Sequence, residues 1–153
     1  MANTYTQLYA HIIFTVKSRA NLITEKHREE LEKYICGILA NIKCNSIAIY
    51  CNPDHIHILI GYGPDISVSN IVRDIKSNSS RFINDRKWIV GKFYWQDGYA
   101  ALTCSKSQLD RVSAYILNQP KHHKKKSFQD EYVEFLDRYG IRYDAKYLFD
   151  WKT

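Results

Sequence analysis

The chain is poor in residues that break secondary structure: of 153 residues only 3 are Pro and 6 are Gly. That scarcity excludes collagen-like, linker and low-complexity classes. Long hydrophobic runs are missing as well. Apolar stretches such as Ile56-His57-Ile58-Leu59-Ile60 are far shorter than the ~20 residues a helix needs to span a bilayer. Met1 to Gln7 is polar and holds no apolar core of a signal peptide. The expectation is a soluble, cytoplasmic protein with no membrane partner. Cysteine is sparse and unpatterned: Cys36, Cys44, Cys51 and Cys104 form no C-x-x-C pair. This argues against a zinc knuckle or redox motif and for reduced, structural thiols. Acidic residues are in deficit, with 16 Asp+Glu against 22 Lys+Arg and a net charge of +6. A basic balance suits a polyanionic partner, nucleic acid more than membrane, although a moderately basic surface is equally common without one.

The remaining composition is that of an ordinary globular protein, 45% hydrophobic and 25% charged. A chain of this length buries roughly 70% of its unfolded surface and needs no disulfide or metal to fold. A single domain over 1–153 is expected. Aromatics make up 14%, and 12 residues are Tyr. Tyrosine can stack on unpaired bases, but most often it packs at a core boundary.

Periodicity supplies the elements. Gln7 to Val16 alternates, with Leu8, Ala10, Ile12, Phe14 and Val16 on one face, which predicts a strand. Thr24 is a good N-cap, and Leu31, Ile35, Ile38, Leu39 and Ile42 recur at helical spacing over 25–43. Ser46 to Cys51 and His55 to Ile60 predict a hairpin about the turn Asn52-Pro53-Asp54. Ser67 caps a second helix that ends near Asp85, with Val68, Ile71, Val72, Ile75 and Phe82 as its stripe. Phe93 to Thr103 reads as a fourth strand interrupted at Gly98. The order β-α-β-β-α-β predicts an α+β, ferredoxin-like sandwich over about 7–104: an antiparallel sheet with two helices on one face and the other face open. A helix capped by Ser107 and Asp110 should follow, ending or kinking at Pro120. A last helix should start at Ser127 and stop at Gly140.

Three constellations could carry chemistry. In His55-Ile56-His57 the two imidazoles share one strand face, half of a metal site that still needs further ligands. Tyr115 and Gln119 are spaced i, i+4, one turn apart on a helix; by itself such a pair is commonplace. The basic set is Lys17, Arg19, Arg73, Lys76, Arg81 and the run Lys121-His122-His123-Lys124-Lys125-Lys126. It is either a solvated face or a phosphate-holding surface.

Taken together, these residues resemble the single-tyrosine HUH transposases of the insertion-sequence-two-hundred type. Asn52-Pro53-Asp54-His55-Ile56-His57-Ile58-Leu59-Ile60 is similar to the family's His-hydrophobic-His segment. Lys17-Ser18-Arg19, Ile75-Lys76-Ser77, Ser79-Ser80-Arg81, Trp95 to Tyr99, and Tyr115 with Gln119 also look like family segments. The likeness runs from about Gln7 to Tyr147. It implies Tyr115 as the nucleophile on a helix over 107–120, and His55, His57 and Gln119 as ligands of a divalent cation, Mg²⁺ or Mn²⁺. It further implies a 5′-phosphotyrosine intermediate and a single-stranded DNA substrate with hairpin ends. The expected assembly is a homodimer that shares its active sites. Lys17, Arg19, Lys76, Arg81, Lys121, Lys124, Lys125 and Lys126 are the expected DNA contacts. Three other readings stand beside this one: a domesticated nuclease acting on repeat hairpins, a replication or mobilisation HUH nuclease, and a non-catalytic nucleic-acid-binding module. A histidine-triad hydrolase fits less well, because position 59, where its third alternating His would stand, is Leu.

Overall fold

The alternating segment forms strand β1, Leu8–Thr15, and the two hairpin segments form β2, Asn45–Cys51, and β3, His55–Tyr62. In the computed structural model, residues 4–123, 126–144 and 148 are described, His122 by its backbone alone. Lys124, Lys125 and all of the tail after 144 except Leu148 lie outside the described residues. β4 covers Ala100–Thr103. The sheet order is β2-β3-β1-β4 and every pairing is antiparallel. Helix α1, Glu25–Asn41, follows β1, and α2, Val68–Arg86, follows β3, so the ferredoxin-like order holds.

Burial explains the topology. Ala10, Ile12 and Phe14 of β1 and Ile56, Ile58 and Ile60 of β3 point to one face. There they meet Leu31, Ile35 and Leu39 of α1 and Ile71, Val72 and Ile75 of α2 in one core. Burying a side chain of this size contributes about 1.5–3 kcal/mol. That gain fixes the register, because a slip of one residue would turn each of these side chains to the wrong face. Ser67 caps α2 by accepting the Asn70 N–H at 3.1 Å. Thr24 takes the N-cap position of α1 with extended backbone but makes no side-chain cap bond.

Four expectations change. First, the opposite sheet face is covered, not open. Helix α3, Leu109–Leu117, and helix α5, Phe128–Arg138, lie on it. Ile13, Ala100 and Leu102 pack with Phe128, Tyr132 and Leu136, and Ala48 and Leu59 pack with Ile116. That face is itself apolar and would be costly to leave wet.

Second, the fourth strand is four residues long instead of spanning Phe93–Thr103. The 93–98 segment keeps a bridge to the end of β1, Val16 with Trp95, where the Lys17 N–H donates to the Tyr94 carbonyl at 3.0 Å and the Gln96 N–H to the Thr15 carbonyl at 2.9 Å, and side chains serve other backbone groups on either side of it. Asn84 accepts the Phe93 N–H at 2.7 Å and donates to its carbonyl at 3.1 Å. Lys76 Nζ donates to the carbonyls of Gln96 and Gly98, each at 2.7 Å. Gly98 turns the chain at φ +89°, a conformation open to glycine. Phe93 and Trp95 still point into the core beside α2.

Third, α3 is not capped at Ser107. A 3₁₀ turn, Lys106–Gln108, precedes it, and Gln108 Oε1 accepts the Ser105 N–H at 2.9 Å. Fourth, Tyr115 and Gln119 do not share one continuous helix. α3 stops at Leu117, Asn118 leaves helical geometry, and a single turn α4, Gln119–His122, restarts with Pro120 near its beginning. Pro120 has no N–H for the carbonyl four residues back, and its ring would strike that carbonyl.

Candidate active site

The covered sheet face carries the site. β1 and β3 pair His57 with Ile13 and His55 with Thr15, so both imidazoles of the expected pair project toward α3 and α5. They are buried, His55 2% and His57 0% exposed, which takes them out of the class of surface histidines. Phe128 at the start of α5 stacks on the His55 ring at 3.8 Å. The break at Asn118 turns Gln119 inward, and its amide is fully buried. Tyr115 comes from α3, with its ring 6.0 Å from that of His57 in an edge arrangement. The structure therefore brings together all four residues singled out on the sequence for catalysis or metal binding.

Four more polar side chains complete the cluster. Glu131, 4% exposed, reaches in from α5. Its Oε1 lies 3.1 Å from His57 Nε2, and its Oε2 accepts the Tyr115 hydroxyl. His123 Nε2 lies 2.8 Å from Gln119 Oε1 and 3.5 Å from Glu131 Oε1. Asn52 donates to Gln119 Oε1 at 3.2 Å and lies 3.1 Å from His55 Nε2. His11 of β1 lies behind His57, with 2.8 Å between its Nε2 and His57 Nδ1. His55, His57, His123 and Glu131 offer ligand atoms that all lie within 4.8 Å of one another. Three imidazole nitrogens and a carboxylate oxygen at that spacing fit a divalent transition metal.

Electrostatics inside the cluster are strongly biased. Burial pushes His57 down to about 4, against the opposing hydrogen bond from Glu131. Burial and the neighbouring His57 push His11 down to about 3. Both rings are therefore neutral at physiological pH, as metal ligation requires. Burial works to raise Glu131, but hydrogen bonds from His123 and His57 outweigh it and hold the carboxyl far below its ordinary range. The same bond to Glu131 raises His123. Tyr115 is raised well above an ordinary phenol, first by burial and then by its hydrogen bond to the Glu131 carboxylate. Held this way the phenol keeps its proton and needs activation before it can attack.

His123, Glu131, Asn52 and His11 were not singled out on the sequence. His123 stands in a run read only for its charge. Glu131 had a legible signal: on α5 it shares the buried stripe of Phe128, Tyr132 and Leu136, and a carboxylate within an apolar stripe needs a partner.

The basic residues behave differently from one another. Arg19 Nη2 lies 3.9 Å from Asp54 Oδ2, and Asp54 Oδ1 lies 2.7 Å from His55 Nδ1. Burial opposes ionisation of Asp54, but His55 and then Arg19 hold it below its ordinary value. Lys76 pins the 96–98 segment as described above. Lys17 and Lys92 each place Nζ 5.5 Å from the centre of the Tyr94 ring. Arg81 and Lys121 are exposed, and Lys126 pairs with Glu134. A groove of about 470 Å³ runs between α2 and the 94–99 segment, lined in part by Arg73, Lys76, Tyr94 and Tyr99. Among the described residues no helix is long and apolar enough to cross a membrane.

The sequence and the fold have counterparts among known proteins. The chain is 26% identical over 120 residues to the ISDra2 transposase TnpA of Deinococcus radiodurans, covering 74% of this chain and 84% of that protein. Two solved structures share the fold. One, a candidate transposase from Deinococcus radiodurans R1, matches with a TM-score of 0.61 at 23% identity, over 78% of this chain and 95% of its own. The other, a REP-associated tyrosine transposase bound to a REP hairpin, matches with a TM-score of 0.60 at 16% identity, over 80% of this chain and 73% of its own. The profile of the family described as "Transposase IS200 like" matches residues 4–119, from the start of the described chain through β3 and α3 to the buried Gln119. With that match over well more than half its length, the chain belongs to the IS200-like transposase family.

Proposed function

We propose that this transposase cleaves and rejoins single-stranded DNA at hairpin-ended elements, with Tyr115 as nucleophile and His55, His57 and Gln119 as cation ligands. The observation that carries the reading is the meeting of the Tyr115 hydroxyl with the buried imidazole pair in one cluster. In the reaction the Tyr115 oxygen forms a bond to the scissile phosphorus and loses its proton. The P–O3′ bond breaks, and the departing oxygen takes up a proton to become a free 3′-OH. The product is a 5′-phosphotyrosine, which keeps the bond energy, so a 3′-OH can reverse the step without a nucleotide cofactor. A divalent cation, Mg²⁺ or Mn²⁺, supplies Lewis-acid stabilisation of the phosphate charge when bound.

The chain's own residues set up the rest. Asp54 and Arg19 orient His55, His11 orients His57, and Asn52 holds the Gln119 amide. Glu131 holds the tyrosine hydroxyl and is the nearest acceptor for its proton. Phe128, Tyr132 and Ile116 exclude water from the floor of the site.

A denaturing gel of the protein with end-labelled hairpin DNA tests the reading. A covalent protein–DNA band in the presence of Mn²⁺ is expected. Binding without such a band would make the chain a non-catalytic nucleic-acid-binding module.

The basic residues would follow the DNA backbone. Lys17, Arg19, Lys76, Arg81, Lys121, Lys124, Lys125 and Lys126 are the assigned set. The groove beside Tyr94 and Tyr99 offers aromatic faces for unpaired bases. Neutralising Lys17, Arg81, Lys121 and Lys126 together should reduce the slope of log K against log salt by roughly 0.7 for each phosphate that is no longer neutralised. Fluorescence anisotropy across a salt series measures this, and an unchanged slope returns these residues to a solvated face.

The proposed assembly is a homodimer with shared sites. Within this chain α3 packs on its own sheet through Ile116 against Ala48 and Leu59, which also supports a site built within one copy. Exchange of α3 about the polar link 104–108 would reproduce the same packing between copies. Mixing His57→Ala with Tyr115→Phe under conditions that exchange subunits should then restore cleavage, with the adduct on the His57→Ala chain. A mixture that stays inactive despite proven exchange assigns the site to a single copy.

A further inference from the structure

We propose that His123 and Glu131 join His55, His57 and Gln119 as direct ligands, so that the cation site of this chain adds a third imidazole and a carboxylate to the Gln119 amide and prefers Mn²⁺ or Zn²⁺ over Mg²⁺. The inference rests on the reading of His55 and His57 as ligands and goes beyond it by two residues that follow Pro120.

Geometry is the first argument. The three Nε2 atoms surround one oxygen, Glu131 Oε1, at 3.1 Å for His57, 3.5 Å for His123 and 3.9 Å for His55, with the Gln119 amide oxygen nearer to His123 at 2.8 Å and Asn52 Nδ2 nearer to His55 at 3.1 Å. Each of the three Nδ1 atoms is engaged on the far side of its ring. For His55 the partner is Asp54 Oδ1 at 2.7 Å, for His123 the Lys126 carbonyl at 3.2 Å, and for His57 the Nε2 of His11 at 2.8 Å. A metal-binding histidine presents one nitrogen to the ion and gives the other N–H to a carboxylate, carbonyl or similar group, which sets tautomer and ring orientation. His123 meets that description once its Nε2 turns from the Gln119 amide oxygen, 2.8 Å away, to the ion.

For His57 the partner is itself an imidazole, with one nitrogen of each kind. His11 can therefore donate to His57 Nδ1 while His57 Nε2–H donates to Glu131. It can equally accept from Nδ1–H when Nε2 is needed as a lone pair.

Burial is the second argument. Glu131 is 4% exposed, and among the described residues no lysine or arginine pairs with it. Its neighbours are three imidazoles, the Tyr115 hydroxyl and the Gln119 amide. Hydrogen bonds from these groups already hold the buried carboxylate ionised, and a divalent ion among the nitrogens would add the full charge pairing that no described lysine or arginine gives it.

The donor chemistry then selects the ion. Imidazole nitrogen suits Zn²⁺ and other first-row transition metals, and Mg²⁺ prefers oxygen ligands and retained water. The carboxylate would also tie the ion to the reaction. Oε1 faces the imidazoles, and Oε2 holds the Tyr115 hydroxyl.

The test uses the full chain, stripped of metal and titrated with Mn²⁺ alone. Calorimetry reads affinity, and pulsed electron paramagnetic resonance counts the imidazole nitrogens coupled to the ion. One Mn²⁺ per chain with three coupled imidazoles is expected. His123→Ala should lower the count to two. Glu131→Gln keeps the side-chain shape and should weaken affinity by at least about tenfold, since even outer-shell changes at such sites cost 10–100-fold. Excess Zn²⁺ should displace the Mn²⁺, and equal Mg²⁺ should not. Two imidazoles in the wild type, with Mn²⁺ affinity unchanged in both variants but lost in His57→Ala, would overturn the inference and leave the His55/His57 reading standing. No Mn²⁺ binding by the wild type would overturn both. Should His123→Ala fail to fold, the nitrogen count of the wild type decides.

Discussion

Tyr115→Phe is expected to eliminate the covalent protein–DNA adduct and to lower cleavage on the order of 10⁶-fold, the scale on which loss of an enzymatic nucleophile is felt. The substitution removes one oxygen and leaves the ring, which packs edge-on against His57 and Phe135. Hairpin affinity should therefore stay within about twofold of wild type, because surface phosphate contacts dominate it. Stability should change modestly. The hydroxyl donates to the Glu131 carboxylate, and a hydrogen bond to a charged group is worth about 1.5–3 kcal/mol. For a chain of this size that corresponds to a fall in Tm of roughly 3–12 °C. The measurement is a denaturing gel and a thermal melt on the same preparation. An adduct that persists in the Phe variant would move the nucleophile to another residue.

Metal removal and His57→Ala form the second large effect. Chelation with EDTA should abolish cleavage and the adduct while leaving hairpin binding measurable, and added Mn²⁺ should restore both. His57→Ala should do the same irreversibly. It also has a structural cost. The ring is fully buried and bonded on both sides, to His11 and to Glu131. Its removal leaves a void, takes the partner from His11 Nε2 and removes one of the several partners of Glu131, so a loss of about 2–5 kcal/mol is expected. Circular dichroism at low temperature separates that loss from the catalytic one. A wild-type enzyme that still cleaves in EDTA would remove the cation from the mechanism.

Much of the core-forming half of the fold was legible. Ala10, Ile12 and Phe14 alternate, Leu31, Ile35, Ile38 and Leu39 recur at helical spacing, and both patterns are local. Each names a face that must be buried and so predicts its element without knowledge of the partner. Phe93 to Thr103 misled for the opposite reason. Its aromatic, β-prone residues are real core residues at Phe93 and Trp95. The backbone between them does pair with the end of β1, at a bridge of Val16 with Trp95, but the ladder breaks at 96–99, where Gly98 turns the chain and Lys76 of α2 takes the Gln96 and Gly98 carbonyls. The second sheet face misled as well, because α3 and α5 add to the basic β-α-β-β-α-β pattern and nothing local states where they dock.

The candidate site divides along the same line. The His55, Ile56, His57 alternation carries its own geometry, since neighbours two apart on a strand share a face. The sequence by itself therefore determined the paired imidazoles, the elements that carry them, a break at Pro120 and a basic surface. Only the tertiary structure decided that the pair is buried, that α3 and α5 close over it, and that His11, Asn52, His123 and Glu131 converge on it. The physical reason is range. A strand's side-chain alternation is set within a few residues. The meeting of Glu131 with His57, 74 positions apart, depends on how an apolar helix face settles on a sheet. No spacing along the chain encodes that docking; the burial of Phe128, Tyr132 and Leu136 against Ile13, Ala100 and Leu102 does.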